Sequence, residues 1–278
     1  SNFYLNLSNY LNPKFEFNLS LVAENFYLNE EFDKVKRILK NFKKEDEFYY
    51  WFRLKKEAQI IIQKQDYENG IKYIDSKFNK IENPNIKMIF DLANFYKNSK
   101  NYEKAIDRYT EIILTLDDNS LIKSDVLYRR GGSYERMGNY EKSDEDLLHA
   151  LKIDPSDAYI LNYLAYSWLE RDYKINEAMD MLKTAYDLKS NDPYIIDSIG
   201  WAYFLIEDYL EAEKYLKRAV ELMPDDPIVN DHYGDILWKL NRKIQARYFW
   251  NNVLTFDDTE DDMREKINIK VIEGLKNS

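Results

Sequence analysis

The 278-residue sequence predicts an all-α fold, a stack of antiparallel helix pairs, on three observations. Segments one 34-residue step apart carry the same small and large apolar residues in the same places. All six prolines, at 13, 84, 155, 193, 224 and 227, fall between such segments, and none interrupts a helical pattern. Only 7 glycines are present and no segment alternates apolar and polar residues, which excludes the many turns of a sandwich or barrel. With 45% hydrophobic and 15% aromatic residues, there is apolar surface enough for a sizeable core.

The step is clearest where GWAYFLIEDYLEAEKYLKRAVELMP (200–224) is set beneath GDILWKLNRKIQARYFWNNVLTFDD (234–258). Gly200 falls on Gly234, Ala212 on Ala246 and Ala219 on Val253. Upstream, GSYERMGNYEKSDEDLLHALKIDP places Gly138, Tyr140, Ala150 and Pro155 in the same frame, with Gly131 in the slot of Gly200. NFYKNSKNYEKAIDRYTEIILTLDD supplies Tyr96, Tyr102, Ala105 and Tyr109. LAYSWLERDYKINEAMDMLKTAYDLKS supplies Ala165, Trp168, Ala178 and Ala185, with one residue inserted. Each copy reads as two helices whose small residues let them approach closely while large residues fill the space around. Asp192-Pro193 and Asp226-Pro227 put a capping carboxylate before a proline at the first helical position, a strong start signal.

These residues resemble the tetratricopeptide repeat, with large apolar groups at positions 4, 7, 11 and 24, small residues at 8, 20 and 27, and proline at 32. Seven copies start near Glu16, Trp51, Ile86, Ser124, Ala158, Pro193 and Pro227. The match is strongest over 124–258 and weakest in the first two copies, where Val35 and Gly70 take position 20 and Lys77 a position 27. The resemblance implies a right-handed superhelical solenoid of helix pairs. Its layout is expected to be the second helix of an incomplete copy in 1–15, three divergent copies in 16–123, four clearer ones in 124–260 and a capping helix in 261–278. The partial first copy, closed by Pro13, suggests that further repeats precede residue 1 in a longer natural protein.

Composition narrows function. No cysteine is present, which excludes disulfides, thiolate metal sites and a cysteine nucleophile but leaves the redox compartment open. No apolar run approaches the ~18 residues of a membrane span, and the N-terminus lacks the pattern of a signal peptide, so the chain as given is expected to be soluble. Residues 1–123 carry 20 basic against 19 acidic groups, and residues 124–278 carry 20 against 31. That acidic half repels phosphate backbones, and the run KVKRILKNFKK (34–44) reads as the solvated face of one helix, so no nucleic-acid partner is expected.

The stretch NDHYGDILW (230–238) brings Asp231, His232 and Asp235 within one helical turn of each other. A metal-dependent hydrolase built on these three is the reading from a different function class. Against it, a metal site needs three or four convergent ligands, and 34 residues earlier the equivalents are Asp197, Ser198 and Trp201, so one carboxylate recurs and the histidine does not. Motifs for nucleotide, zinc-protease or serine-hydrolase chemistry are missing, and no cofactor or metal is expected. His149, on a second helix, reads as a surface or interface residue.

What the packing does not consume is the concave face, lined in tetratricopeptide arrays by positions 2, 5, 9, 12 and 13 of each first helix. The last three copies place Tyr159, Asn162, Tyr166, Tyr194, Asp197, Trp201, Phe204, Ile228, Asp231, Asp235 and Trp238 there. Such a trough would hold an extended or helical segment of another protein carrying basic and apolar residues. Two other readings stay open: the aromatics pack only between helices, or the groove is filled by the chain itself or a second copy in a homo-oligomer. Arrays that bind a terminal carboxylate use Lys and Asn at positions 5 and 9, and that clamp is absent. Arg130, in a normally apolar slot, requires a carboxylate from a neighbouring helix or a ligand anion. The last repeats resemble those of bacterial, often exported, proteins with further repeats upstream, which implies an envelope-associated adaptor.

Overall fold

The computed structural model describes Asn12 and residues 15–275. Among them are fifteen α-helices and no strand. The helix expected in residues 1–15, with Pro13 behind it, lies outside the described residues apart from Asn12 and Phe15. No described helix is long and apolar enough to cross a membrane. Contacts divide the chain into two units, Ser1–Thr115 and Leu116–Ser278.

The first unit contains three hairpins: α1 (Glu16–Leu28) with α2 (Phe32–Leu39), α3 (Glu47–Lys64) with α4 (Tyr67–Phe78), and α5 (Ile86–Asn98) with α6 (Tyr102–Ile113). Helix α2 stops early, and Phe42 beyond its end supplies the buried group at position 27. Its ring stacks on Tyr49 at 5.4 Å and meets Phe52 edge-on at 5.6 Å. A polar pin joins α3 to α5, where Trp51 Nε1 and Lys55 Nζ both donate to Asp91 Oδ2, at 2.9 and 2.7 Å.

The second unit contains four hairpins, α7 (Leu121–Arg136) with α8 (Tyr140–Ile153), α9 (Ala158–Leu169) with α10 (Ile175–Leu188), α11 (Pro193–Leu205) with α12 (Tyr209–Leu222), and α13 (Pro227–Lys239) with α14 (Lys243–Thr255), followed by α15 (Asp261–Glu273). Asp157, Asp192 and Asp226 each cap a first helix by accepting from two backbone amides, at 2.8–3.3 Å. Inside the hairpins, Glu207 and Asn241 hold left-handed φ of 63° and 61° at equivalent turns. The next amide then reaches back to close the helix, Asp208 to the Tyr203 carbonyl and Arg242 to that of Leu237, at 3.0 and 2.8 Å.

Packing follows the small residues. Ala178, Ala212 and Ala246 are fully buried where second helices meet first helices. At Gly234 the two helices of a hairpin approach closely: a Cβ there would lie 2.4 Å from the indole of Trp250. That indole is itself fully buried and held by its Nε1 donating to Asp235 Oδ1 at 2.9 Å. Arg130 meets a neighbouring-helix carboxylate, its Nε and a terminal nitrogen donating to the two oxygens of Asp146 at 2.8 and 2.7 Å. Helix α15 begins 34 residues after Pro227, as Pro227 follows Pro193, so it stands where the first helix of a further copy would. It buries Ile267 in the cluster of Trp250 and Val253. Beyond its end, Gly274 has φ 81° and lies so close to Trp238 that a Cβ would fall 1.9 Å from the ring.

Gly234→Ala should therefore destabilise the second unit by about 1–3 kcal/mol, because Trp250 is fixed on its far side and cannot recede. Thermal unfolding followed by far-ultraviolet circular dichroism checks this. An unchanged Tm would mean that the helices are not in van der Waals contact at this point.

Candidate functional site: an acidic groove in the second unit

The first helices α9 and α11, and α11 and α13, touch directly. Along their line, each recurring carboxylate is met by a cation from the next element. His232 on α13 donates through Nδ1–H to Asp197 Oδ2 on α11 at 2.8 Å, since the carboxylate can only accept. One step on, Lys270 of α15 donates to Asp231 Oδ1 at 2.6 Å and to both oxygens of Asp235 at 2.8 and 2.9 Å. The His232 ring stacks on Trp201 at 4.1 Å and 12°. Trp201 stacks in turn on Phe204 at 4.7 Å and donates to Glu170 Oε1 at 3.1 Å.

This network shifts its members. Burial opposes charge on His232, but Asp197, with Asp231 and Asp235 behind it, outweighs burial and raises its pKa above 6.5. Burial, with the Asp231 carboxylate, pushes Asp235 well above the ordinary carboxylate range despite Lys270. Burial resists the charge of Lys270 as well, yet the two carboxylates hold its ammonium above the usual lysine value. Burial and Glu170 raise the Tyr166 phenol.

Beside the network runs a groove of about 1110 Å³. Of the residues singled out in the sequence, Tyr166, Tyr194, Ile228, Asp231 and His232 line it, and Tyr194 and Ile228 remain 58% and 51% exposed. The other residues stand elsewhere. Tyr159 is exposed, donating to Asp192 Oδ2 at 3.2 Å beneath the Lys189 ammonium. Asn162 Oδ1 is buried without a hydrogen bond. Asp197 and Asp235 are buried within the network, Trp201 stacks across to His232 of α13, and Phe204 stacks on Trp201 along α11. Trp238 packs on Trp250 at 5.4 Å, with Lys243 and Arg247 over its ring and Gly274 against its edge.

The groove wall also includes residues that the sequence reading did not select. Glu135, Tyr140, Tyr163, Glu170 and Arg171 come from the upstream copies, and Asp258, Glu260, Asp262 and Lys266 from the segment entering α15. The even spacing of Pro193, Pro227 and Asp261 is the signal that could have placed that last segment beside a first helix. In all, the lining carries eight carboxylates (Glu135, Glu170, Asp225, Asp226, Asp231, Asp258, Glu260, Asp262) against Arg136, Arg171 and Lys266. Arg171 is already engaged by Asp144 at 2.8 Å and the Ser167 carbonyl at 2.9 Å. The groove is therefore an electronegative trough with an exposed apolar edge, suited to attract a basic chain segment.

Two outcomes test the network. Lys270→Met should cost about 3–5 kcal/mol at alkaline pH, because it leaves the buried Asp235 and the partly buried Asp231 without their cation. The folded protein binds a proton at Asp235 more tightly than the unfolded chain does, and more tightly still without Lys270, so the cost is full above the variant's raised pKa and shrinks as pH falls through it. Urea unfolding across that range measures it. For His232, an NMR titration of the imidazole should give a midpoint above 6.5 that Asp197→Asn lowers. An unshifted midpoint would separate the two side chains.

The tetratricopeptide repeat family model matches residues 53–255. A TPR repeat-containing protein of Pseudomonas aeruginosa is 30% identical over 110 residues, which are 40% of this chain and 18% of that protein. Anaphase-promoting complex subunit 3 of Schizosaccharomyces pombe is 22% identical over 116 residues, 42% of this chain and 16% of that protein. The chain thus spans less than a fifth of the length of either relative. Among solved structures, a tetratricopeptide repeat protein from Parabacteroides merdae superposes with a TM-score of 0.70 at 15% identity, over 91% of this chain and 98% of its own, a likeness of fold. With the repeat register, the hairpins and the matched span in agreement, the chain belongs to the tetratricopeptide repeat family.

Proposed function

We propose that this chain is a non-catalytic adaptor that holds a basic and apolar segment of another protein in the acidic groove of its second unit. The observation that carries the reading is the pairing of an acid-rich wall with the exposed side chains of Tyr194 and Ile228, beside a floor already locked by internal bonds. A preorganised floor binds without the cost of ordering its own side chains. The family's general use of its repeats as protein-interaction frames supports the same reading, and the resemblance of the last repeats implies a bacterial envelope setting. Hydrolysis at Asp231, His232 and Asp235 fits the geometry poorly. His232 is tied to Asp197, and the two aspartates to Lys270, so the three do not converge on a common point.

Trp201 and Trp238 are embedded in packing, so the discriminating substitutions are at exposed positions. Tyr194→Ala with Ile228→Ala should weaken partner binding by about 2–4 kcal/mol while the protein stays folded. Lys36→Ala with Lys40→Ala, exposed on α2 and just past its end, should leave binding intact. Raising salt should slow association more than it speeds release. Affinity capture with each pair, followed by kinetics on the captured partner, measures this. Loss of the partner in the lysine pair alone would move the binding surface to the first unit.

A further inference from the structure

Two of the groove carboxylates, Asp231 and Glu135, are held by internal donors at one oxygen and left open at the other. Asp231 Oδ1 accepts from Lys270 at 2.6 Å, and its Oδ2 accepts nothing from the described residues. Glu135 Oε2 accepts from the Tyr163 hydroxyl at 3.1 Å, with Arg136 3.6 Å away, and its Oε1 likewise takes no described donor. Glu170 is fixed by Trp201 Nε1 at 3.1 Å. The tyrosines 163, 166 and 194 line the same space. Such acceptors, fixed but unsaturated and set among aromatic rings, suit a flat cation with several donors.

The protein already seats two of its own guanidinium groups this way. Arg171 lies 4.6 Å from the centre of the Tyr140 ring while donating to Asp144 at 2.8 Å. Arg130 forks onto Asp146 and lies 5.8 Å from the Tyr134 ring. In the second unit Lys270 is placed otherwise, between two carboxylates as a point charge, although in the first unit Lys56 pairs with Glu24 over the Tyr27 ring.

We propose, on the basis of the groove reading above, that the groove selects arginine over lysine in its partner segment. The guanidinium group donates to the open oxygens of Glu135 and Asp231, is drawn in further by the charge of Glu170, which Trp201 and Tyr166 already engage, and lies against the Tyr166 ring. Its five N–H donors reach acceptors that one ammonium cannot serve together, and its plane pairs with an aromatic ring.

The test uses the full chain and four pools of capped heptapeptides with small and aliphatic flanks, the central residue fixed as arginine, lysine, citrulline or leucine. The arginine pool should bind about tenfold more tightly than the lysine pool, and the citrulline pool no better than leucine. Glu135→Gln with Glu170→Gln keeps an oxygen for Tyr163 and Trp201, so the fold is undisturbed. It should reduce the arginine preference about tenfold and leave the leucine pool unchanged. Equal binding of arginine, lysine and citrulline, or a preference that survives the double substitution, overturns the inference. If no pool binds while the captured partner still depends on Tyr194 and Ile228, the arginine inference falls and the groove reading stands. If the partner ignores Tyr194 and Ile228, the groove reading itself fails.

Discussion

The close approach of paired helices is the constraint from which the second unit follows. A helix hairpin buries only part of its apolar surface, and the rest must be covered by the next hairpin. That stacking is tight only where side chains shrink, at Ala178, Ala212, Ala246 and Gly234. Once helices meet at those points, the larger groups have one place to go. Trp250 fills the space opposite Gly234, and its indole nitrogen finds Asp235. Asp235 is thereby drawn into the interior, where it requires Lys270 from α15. A packing requirement within one hairpin thus becomes an electrostatic one between that hairpin and the helix that follows it.

That chain of requirements explains which parts were legible. The 34-residue register, the Asp-Pro helix starts and the small positions are local signals, and they placed the helices. Turns were less visible. Only one of the six hairpin turns with positive φ uses glycine, and the others force Glu30, Lys100, Asp172 with Lys174, Glu207 and Asn241 into the left-handed region, so glycine counting undervalued them. The closing hydrogen bonds at these turns offset the strain of a side chain there.

The candidate site was harder to read, because repeat position reports which side of a helix a residue occupies and not what stands across from it. Asp197 and Asp231 share position 5 as carboxylates, which suggested two charges offered to a partner. Each is in fact met from within, by His232 and by Lys270. Trp238 shares the inner side with Tyr194, yet it is covered by the backbone at Gly274, beyond the end of α15. Of the carboxylates that stay open, Glu135 stands at position 12 of the fourth copy, outside the three copies read for the trough, and Asp258 lies in a loop that repeat positions do not rank.

The pairing of Asp197 with His232 and of Asp231 and Asp235 with Lys270 also bears on how such a chain can change length. Tetratricopeptide copies share one shape, so shape alone would let any copy follow any other. Charge does not. Removing residues 227–260 would bring α15 against α11, where Lys270 would face Asp197 but find Trp201 in place of a second carboxylate. The inner charges therefore act as an address written into each junction, and they set the order of the copies where geometry alone would leave it free.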